Sequence, residues 1–443
     1  MVVQALQHAG TITTRNDVET RDLEVKQSNL EEEAQMHRRM ALRYEELLQQ
    51  IRALDGFTSF FKPKHLSELA SAAKHGPVIV VNVDQSRCDA LVLSLSRDII
   101  HVPLPGLSLQ KAQNLHMKLI SSLHINGIRI DRNGARAVRP ASGENYDQFI
   151  LILKILWLNV VQPIISKIED ALHESKEDIL PHITWCPTGP LTLLPLHAAG
   201  IYGGPTETNI SISDIVVSSY TTTLGALISS GSKFKEHQAK IPSILIVSQP
   251  DTPGLPPLPG TVEEAKVIKK YTLGMHTHHL NHDVATAKAV MHDMGKYDII
   301  HFACHGIQDV QDPLDSGFAV YDQRLRLKEL MSLSLNNVHL AVLSACQTAT
   351  GDENLPEEAV HLAAGMLAVG YPSVIATLWS IGDKEAPLIA DKFYANLLGH
   401  PDNSGDKTKL TPAYALHEAT KNLRKEVGET NFVKWVPFIH LGV

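Results

Sequence analysis

Tyr297-Asp298-Ile299-Ile300-His301-Phe302-Ala303-Cys304-His305-Gly306 and Val338-His339-Leu340-Ala341-Val342-Leu343-Ser344-Ala345-Cys346-Gln347-Thr348 decide the fold. Each is a short apolar run bounded by polar or glycine residues. Such runs suit strands of a parallel sheet covered on both faces. Open α/β sheets gather their ligand-binding loops at the carboxyl ends of the strands. His305 and Cys346 stand at such ends. If the two strands are neighbours, the imidazole and the thiol meet in one crevice, as a cysteine nucleophile with a histidine base requires.

Cys304 competes for the nucleophile's place. Alternation along a strand puts it on the face opposite His305, inside the packing, where a thiol is inert. Cys346 is followed by the polar stretch Gln347-Thr348-Ala349-Thr350-Gly351-Asp352, which leaves its sulfur open to a base. His301 and His305 share a face, a spacing that admits a metal pair. No carboxylate or cysteine at zinc-like spacing accompanies them, so His301 reads as a core histidine. The plainer reading of the dyad is that His305 and Cys346 merely end two strands.

A chain of 443 residues, 44% hydrophobic, can bury two cores or one large one. Its formal net charge of -8 suggests no nucleic-acid surface. The cysteines (Cys88, Cys186, Cys304, Cys346) are widely spaced and suit a reducing, cytoplasmic compartment. Met1 to Gly10 lacks a basic segment and a long apolar run, so no signal peptide is expected. The most apolar stretch, Phe149 to Ile165, is broken by Lys154, Asn159, Gln162 and Pro163. It predicts a core helix, with no membrane partner.

Residues 1 to about 22 carry no periodicity. Leu30, Ala34, His37, Ala41, Tyr44, Leu48 and Ile51 then recur at helical spacing, and a second short helix runs from Pro63 to Lys74. From Gly76 strands appear: Val78 to Val83, Ala90 to Leu93, His182 to Pro187 and Ile215 to Tyr220. Helices are expected from Ser108 to Leu123 and after Asn145. A polar hinge, Ser229 to Lys240, precedes a second set that opens with Ser243 to Ser248. Thr261-Val262-Glu263-Glu264 reads as a capping box. His276, His278, His279 and His282 read as loop histidines, without the cysteine or paired carboxylates a metal site would need. Pro356-Glu357-Glu358 opens a helix. Ser373 to Trp379 is a buried strand, and helices follow from Lys384 to Leu398 and Pro412 to Val427. The alternation is that of an α/β fold.

Three strings are similar to the CHAT domain family of caspase-like cysteine peptidases, related to separases and often joined to tetratricopeptide repeats. They are His301 to Gly306 with Asp312-Pro313 and Ser316, Leu343 to Ala349, and Ala376-Thr377-Leu378-Trp379 with Asp383. Leu258-Pro259-Gly260 with Glu263-Glu264, and Thr188-Gly189-Pro190-Leu191 through Leu194-Pro195-Leu196, also match. The resemblance runs from about residue 75 to 443. It implies a caspase-like three-layer α/β sandwich with a mostly parallel sheet. A helical segment, 1–74, would precede a pseudo-protease half, 75–235, and an active half, 236–443. It implies His305 as the base, Cys346 as the nucleophile, and the N–H groups of Gly306 and Cys346 as the oxyanion hole. The spacing of the pair is that of a caspase-like enzyme.

The implied reaction needs no cofactor and no metal, and its partner is a protein or peptide substrate. Asp383 could line the pocket for a basic residue before the cut, beside Trp379, or could cap the helix starting at Lys384. Asp312 and Ser316 could contact peptide or shape a turn. A regulatory protein could act through the N-terminal helices. An idle scaffold on the same fold, binding partners without cleaving them, is the competing reading. A transferase using the same thiol is a further one. No P-loop, GxSxG or HExxH motif supports nucleotide, serine-hydrolase or zincin chemistry.

Overall fold

In the computed structural model of the chain, the two decisive runs form parallel, adjacent strands, Ile299–Ala303 and Leu340–Ser344. The structure describes residues 23–55, 57, 60–62, 65–95, 99–128, 146–173, 179–205, 209–233, 241–309, 312–344, 362–399 and 410–443. Cys346, the Pro356-Glu357-Glu358 helix start and residues 1–22 lie outside them.

The chain divides into two compact units, Met1–Glu68 and Leu69–Val443. The first holds a 30-residue helix, Leu23–Arg52. His37, Met40, Tyr44, Leu48 and Ile51 form its less exposed stripe at three- and four-residue spacing. Met36, Leu42, Leu47 and Leu54 are exposed.

In the second unit the turn Ala70–His75 buries Ala72 and Ala73 against Val78, Leu93, Cys186, Leu227 and Val443. The strands in chain order are β1 (Val78–Val83), β2 (Cys88–Leu93), β3 (Ile99–Pro103), β4 (His182–Pro187), β5 (Gly200–Ile201), β6 (Ile210–Ser211), β7 (Val217–Tyr220) and β8 (Ile244–Ser248). They continue as β9 (Thr277–Asn281), β10 (Ile299–Ala303), β11 (His305–Ile307), β12 (Gly317–Ala319), β13 (Arg324–Arg326), β14 (Leu340–Ser344), β15 (Ser373–Thr377) and β16 (Phe438–Gly442).

Eleven of them form one sheet, ordered β3-β2-β1-β4-β7-β16-β15-β14-β10-β8-β9. β1, β4, β7 and β16 are parallel, and so are β15, β14, β10, β8 and β9. β15 and β16 pair antiparallel, so the two sets run in opposite directions. The carboxyl ends of the second set therefore meet at one edge, away from those of the first. β8, β10, β14 and β15 are buried at every position, which explains why their residues are mostly apolar.

The thinnest backbone pairing in the large sheet lies inside the first set. β16 and β7 register only through Leu441 and Tyr220. Side chains reinforce it. The His182 Nδ1–H donates to the His75 carbonyl at 3.0 Å, so its Nε2 accepts from Ser219 Oγ at 2.6 Å. Ser219 Oγ in turn accepts from His440 Nδ1 at 2.6 Å, and Ser373 Oγ donates to His440 Nε2 at 2.8 Å. Each member fixes the tautomer of the next. His197 adds a second tie: its Nε2–H donates to the Val436 carbonyl at 2.9 Å, and Tyr220 donates to its Nδ1 at 2.8 Å.

Several expectations change. β3 carries no long apolar run and escapes pattern reading because it is a mostly exposed edge strand. The polar residues around His278 mislead in the same way: Thr277–Asn281 is the other edge strand, not a loop. The first five residues of the expected hinge, Ser229 to Lys233, end the helix Leu224–Lys233. Ser108 caps the helix Leu109–Ile125, its hydroxyl accepting from Lys111 N. The apolar stretch is helical from Tyr146 to Lys167, with a π-turn at Trp157–Val161. Gln148–Lys167 is the one helix among the described residues long and apolar enough to cross a membrane. It packs Phe149, Ile152, Leu153, Leu156 and Val160 into the core.

Candidate active site

Ala303 ends β10 and Ser344 ends β14, and these two residues are register partners. His305 follows Ala303 by two residues, and Cys346 follows Ser344 by two. Two residues of chain reach about 7 Å at most. The pairing therefore puts His305 close to the carboxyl ends of both β10 and β14.

Cys304 is a bend between β10 and the new short strand β11, which begins at His305. His305 thus opens a second small sheet, β11-β12-β13, and does not simply finish β10. Phe302 on β10 stacks on Phe318 of β12 with ring centroids 4.2 Å apart, which fixes that small sheet against the large one. His305 itself is fully buried. Its Nε2 lies 2.7 Å from the carbonyl oxygen of Pro256. A carbonyl only accepts, so the proton is on Nε2 and Nδ1 is the basic nitrogen.

The Pro256 carbonyl is the orienting group that sequence reading missed. A backbone oxygen has no side-chain signature, and the available signal was only the proline-rich loop between Pro250 and Pro259. That loop is folded on itself. Leu258 N–H donates to the Pro250 carbonyl at 2.7 Å and Leu255 N–H to the Thr252 carbonyl at 3.0 Å. It runs into the helix Gly260–Tyr271. The expected capping box at Thr261 is absent: Pro259 is the N-cap residue, and the Thr261 hydroxyl instead donates to the Leu258 carbonyl.

Beneath His305 lies a buried polar group. The His301 Nε2 is 3.0 Å from Glu264 Oε1, and its Nδ1 is 3.0 Å from the Tyr394 hydroxyl. Burial, and then the Glu264 carboxylate, push the Tyr394 phenol well above its ordinary pKa. His301 is a core histidine with two partners. Its carboxylate partner comes from a distant part of the chain, which short-range spacing does not show.

The other candidates are spread. Asp383 follows β15, and its Oδ2 accepts from Gly260 N–H at 2.7 Å. It does not cap the next helix, Glu385–Leu398, whose N-cap residue is Lys384. Trp379 is only 1% exposed, and its indole donates to the Val433 carbonyl at 3.0 Å, so it is part of the packing. Asp312 caps a short turn by accepting from Leu314 N–H at 3.1 Å. The Ser316 hydroxyl accepts from Asp309 N–H at 2.9 Å. Both side chains shape the loop after His305. Gly306 lies opposite Phe318 in the β11–β12 ribbon.

The described cysteines offer no rival nucleophile. Cys88, Cys186 and Cys304 are buried. Burial pushes the Cys186 thiol up to about 11, and burial also raises the Cys88 thiol. His276 and His278 stack on Tyr297, and His279 bonds Ser248. Among the described residues no three His, Cys, Asp or Glu side chains are grouped to hold a metal.

A profile of the CHAT domain matches residues 152–443, well over half of the chain. The chain belongs to the CHAT domain family. The crystal structure of the Saccharomyces cerevisiae separase–securin complex at 2.6 Å resembles this CHAT chain with a TM-score of 0.55 at 12% identity. The match covers 92% of this chain and 33% of the separase chain, so this chain spans about a third of that protein's length. The crystal structure of the Arg-specific cysteine proteinase gingipain R aligns with a TM-score of 0.44 at 11% identity, over 64% of this chain and 68% of its own. No curated protein matches in sequence. The fold is a caspase-like α/β fold.

Proposed function

We propose that this CHAT chain is a cysteine endopeptidase in which Cys346 attacks the peptide carbonyl and His305 moves the proton. The observation that supports it best is the alignment of Ala303 with Ser344, together with the Pro256 carbonyl on His305 Nε2. With Nε2–H held, Nδ1 takes the thiol proton and later gives it to the leaving amine. The Gly306 and Cys346 N–H groups would receive the oxyanion, and losing one such donor costs about a hundredfold or more in rate. The widely spaced cysteines Cys88, Cys186 and Cys304 suit work in a reducing, cytoplasmic compartment.

A protein regulator fits the same reading. The matched separase is held in a complex with securin. In this chain the helix Leu23–Arg52 exposes Met36, Leu42 and Leu47, which a partner could cover. The test is turnover of a peptide library by the wild-type chain and by His305→Ala. Cleavage that vanishes in the variant supports the reading. Cleavage that persists at the wild-type rate overturns it, and no cleavage by either favours the idle scaffold.

A further inference from the structure

The first N–H groups of a helix have no partner inside it. In the helix Gly260–Tyr271 the N-cap residue, Pro259, supplies no side-chain acceptor. The acceptor comes from 123 positions away: Asp383 Oδ2 takes the Gly260 N–H at 2.7 Å. A carboxylate at that end also suits the helix dipole. The approach is close enough to demand glycine. A Cβ on Gly260 would stand 2.2 Å from the Asp383 carbonyl oxygen and 2.6 Å from its Oδ1.

What Asp383 holds is the root of the loop that orients His305. Only Pro257, Leu258 and Pro259 lie between the clamped Gly260 and the Pro256 carbonyl that accepts from His305 Nε2, and each of the two prolines fixes its own φ. So stiff a segment passes a shift at Gly260 on to the Pro256 oxygen. One turn further on, Glu264 ties the same helix to His301 on β10, four residues before His305. The helix start is thereby pinned to the strand that carries the base.

We infer that Asp383 is a positioning residue for His305, acting through Gly260 and the Pro256 carbonyl rather than through the substrate. This rests on the peptidase reading for its kinetic consequence, though not for its effect on the imidazole. Asp383→Ala should lower kcat on the order of tenfold to a hundredfold. The loss should be the same whether the residue before the cut is basic or apolar, with KM little changed. Asp383→Asn keeps an acceptor oxygen and should restore turnover to within about threefold, losing only the charge assistance.

The experiment pairs those kinetics with 15N NMR of His305 in a Cys346→Ala background, where no activity is needed. The wild-type and Asp383→Asn side chains should hold the Nε2–H tautomer, and Asp383→Ala should show a mixture. An unchanged tautomer in Asp383→Ala overturns the inference, whatever the activity. Should Asp383→Ala fail to fold, Asp383→Asn still decides: selective loss of cleavage after Arg or Lys overturns positioning in favour of a substrate pocket. A shifted tautomer with no cleavage by any variant supports the positioning role and overturns the peptidase reading instead.

Discussion

Ala303 and Ser344 face each other as the last register partners of β10 and β14, and each precedes a reactive residue by two positions. The equality of those offsets turns two strand ends into one candidate site. It also separates the two cysteines. Cys304 sits in the bend with no exposed surface, packed in the core. Cys304→Ala should therefore cost about 1 kcal/mol or more of stability while keeping activity. Cys346→Ala should abolish activity and leave the melting temperature near wild type. Urea denaturation and peptide turnover on both variants check this, and a Cys304→Ala protein that is stable but inactive would reverse the assignment.

Glu264 and His301 are both buried, at 3.0 Å. Removing one member leaves the other without its partner in the core. Glu264→Ala is expected to destabilise the fold by about 3–5 kcal/mol. Denaturant midpoints with unchanged slopes give the number, and a loss well under 1 kcal/mol would mean that the pair is incidental.

The β7–β16 join, braced by buried imidazoles, should be sensitive to acid. Burial holds the His182 and His197 imidazoles down to about 4 and His440 to about 3, below the ordinary 6.5. The unfolded chain then takes up protons at a higher pH than the folded one. Stability is retained above pH 6.5 and is lost as pH falls from there towards 4. Melting temperature measured across that window should drop, and less steeply in His440→Gln. A slope unaffected by that substitution would place the acid sensitivity elsewhere.

Deletion of residues 1–68 leaves Ala72 and Ala73 in their buried places, so the remaining unit should fold. If the N-terminal helix receives a regulator, the shortened chain should differ several-fold from the full chain in turnover and lose any response to cell extract. A partner shifts the active fraction only through its differential affinity for the two states. Identical turnover with and without extract in both chains would reduce the helix to packing.

The decisive strands were legible because burial on both faces leaves a mostly apolar run, as in Ile299–Ala303 and Leu340–Ser344. The edge strands were not: Ile99–Pro103 and Thr277–Asn281 meet solvent, so their sequences carry polar residues that imitate loops. Within the site, His305 was readable by its type and position. The Pro256 carbonyl was hidden because any residue carries one. Asp383 was noticed, yet its partner at Gly260 lies far off in sequence and belongs to another helix. Trp379 and Ser316 read as surface chemistry because the strands and turns that bury them are assembled from distant segments.

The most direct measurement is labelling of the intact chain with acyloxymethyl ketone peptide probes, followed by mass-spectrometric mapping of the modified residue. Label on Cys346, reduced to background in His305→Ala, is the predicted result. Label on another residue, or Cys346 labelled equally well without His305, would contradict the account.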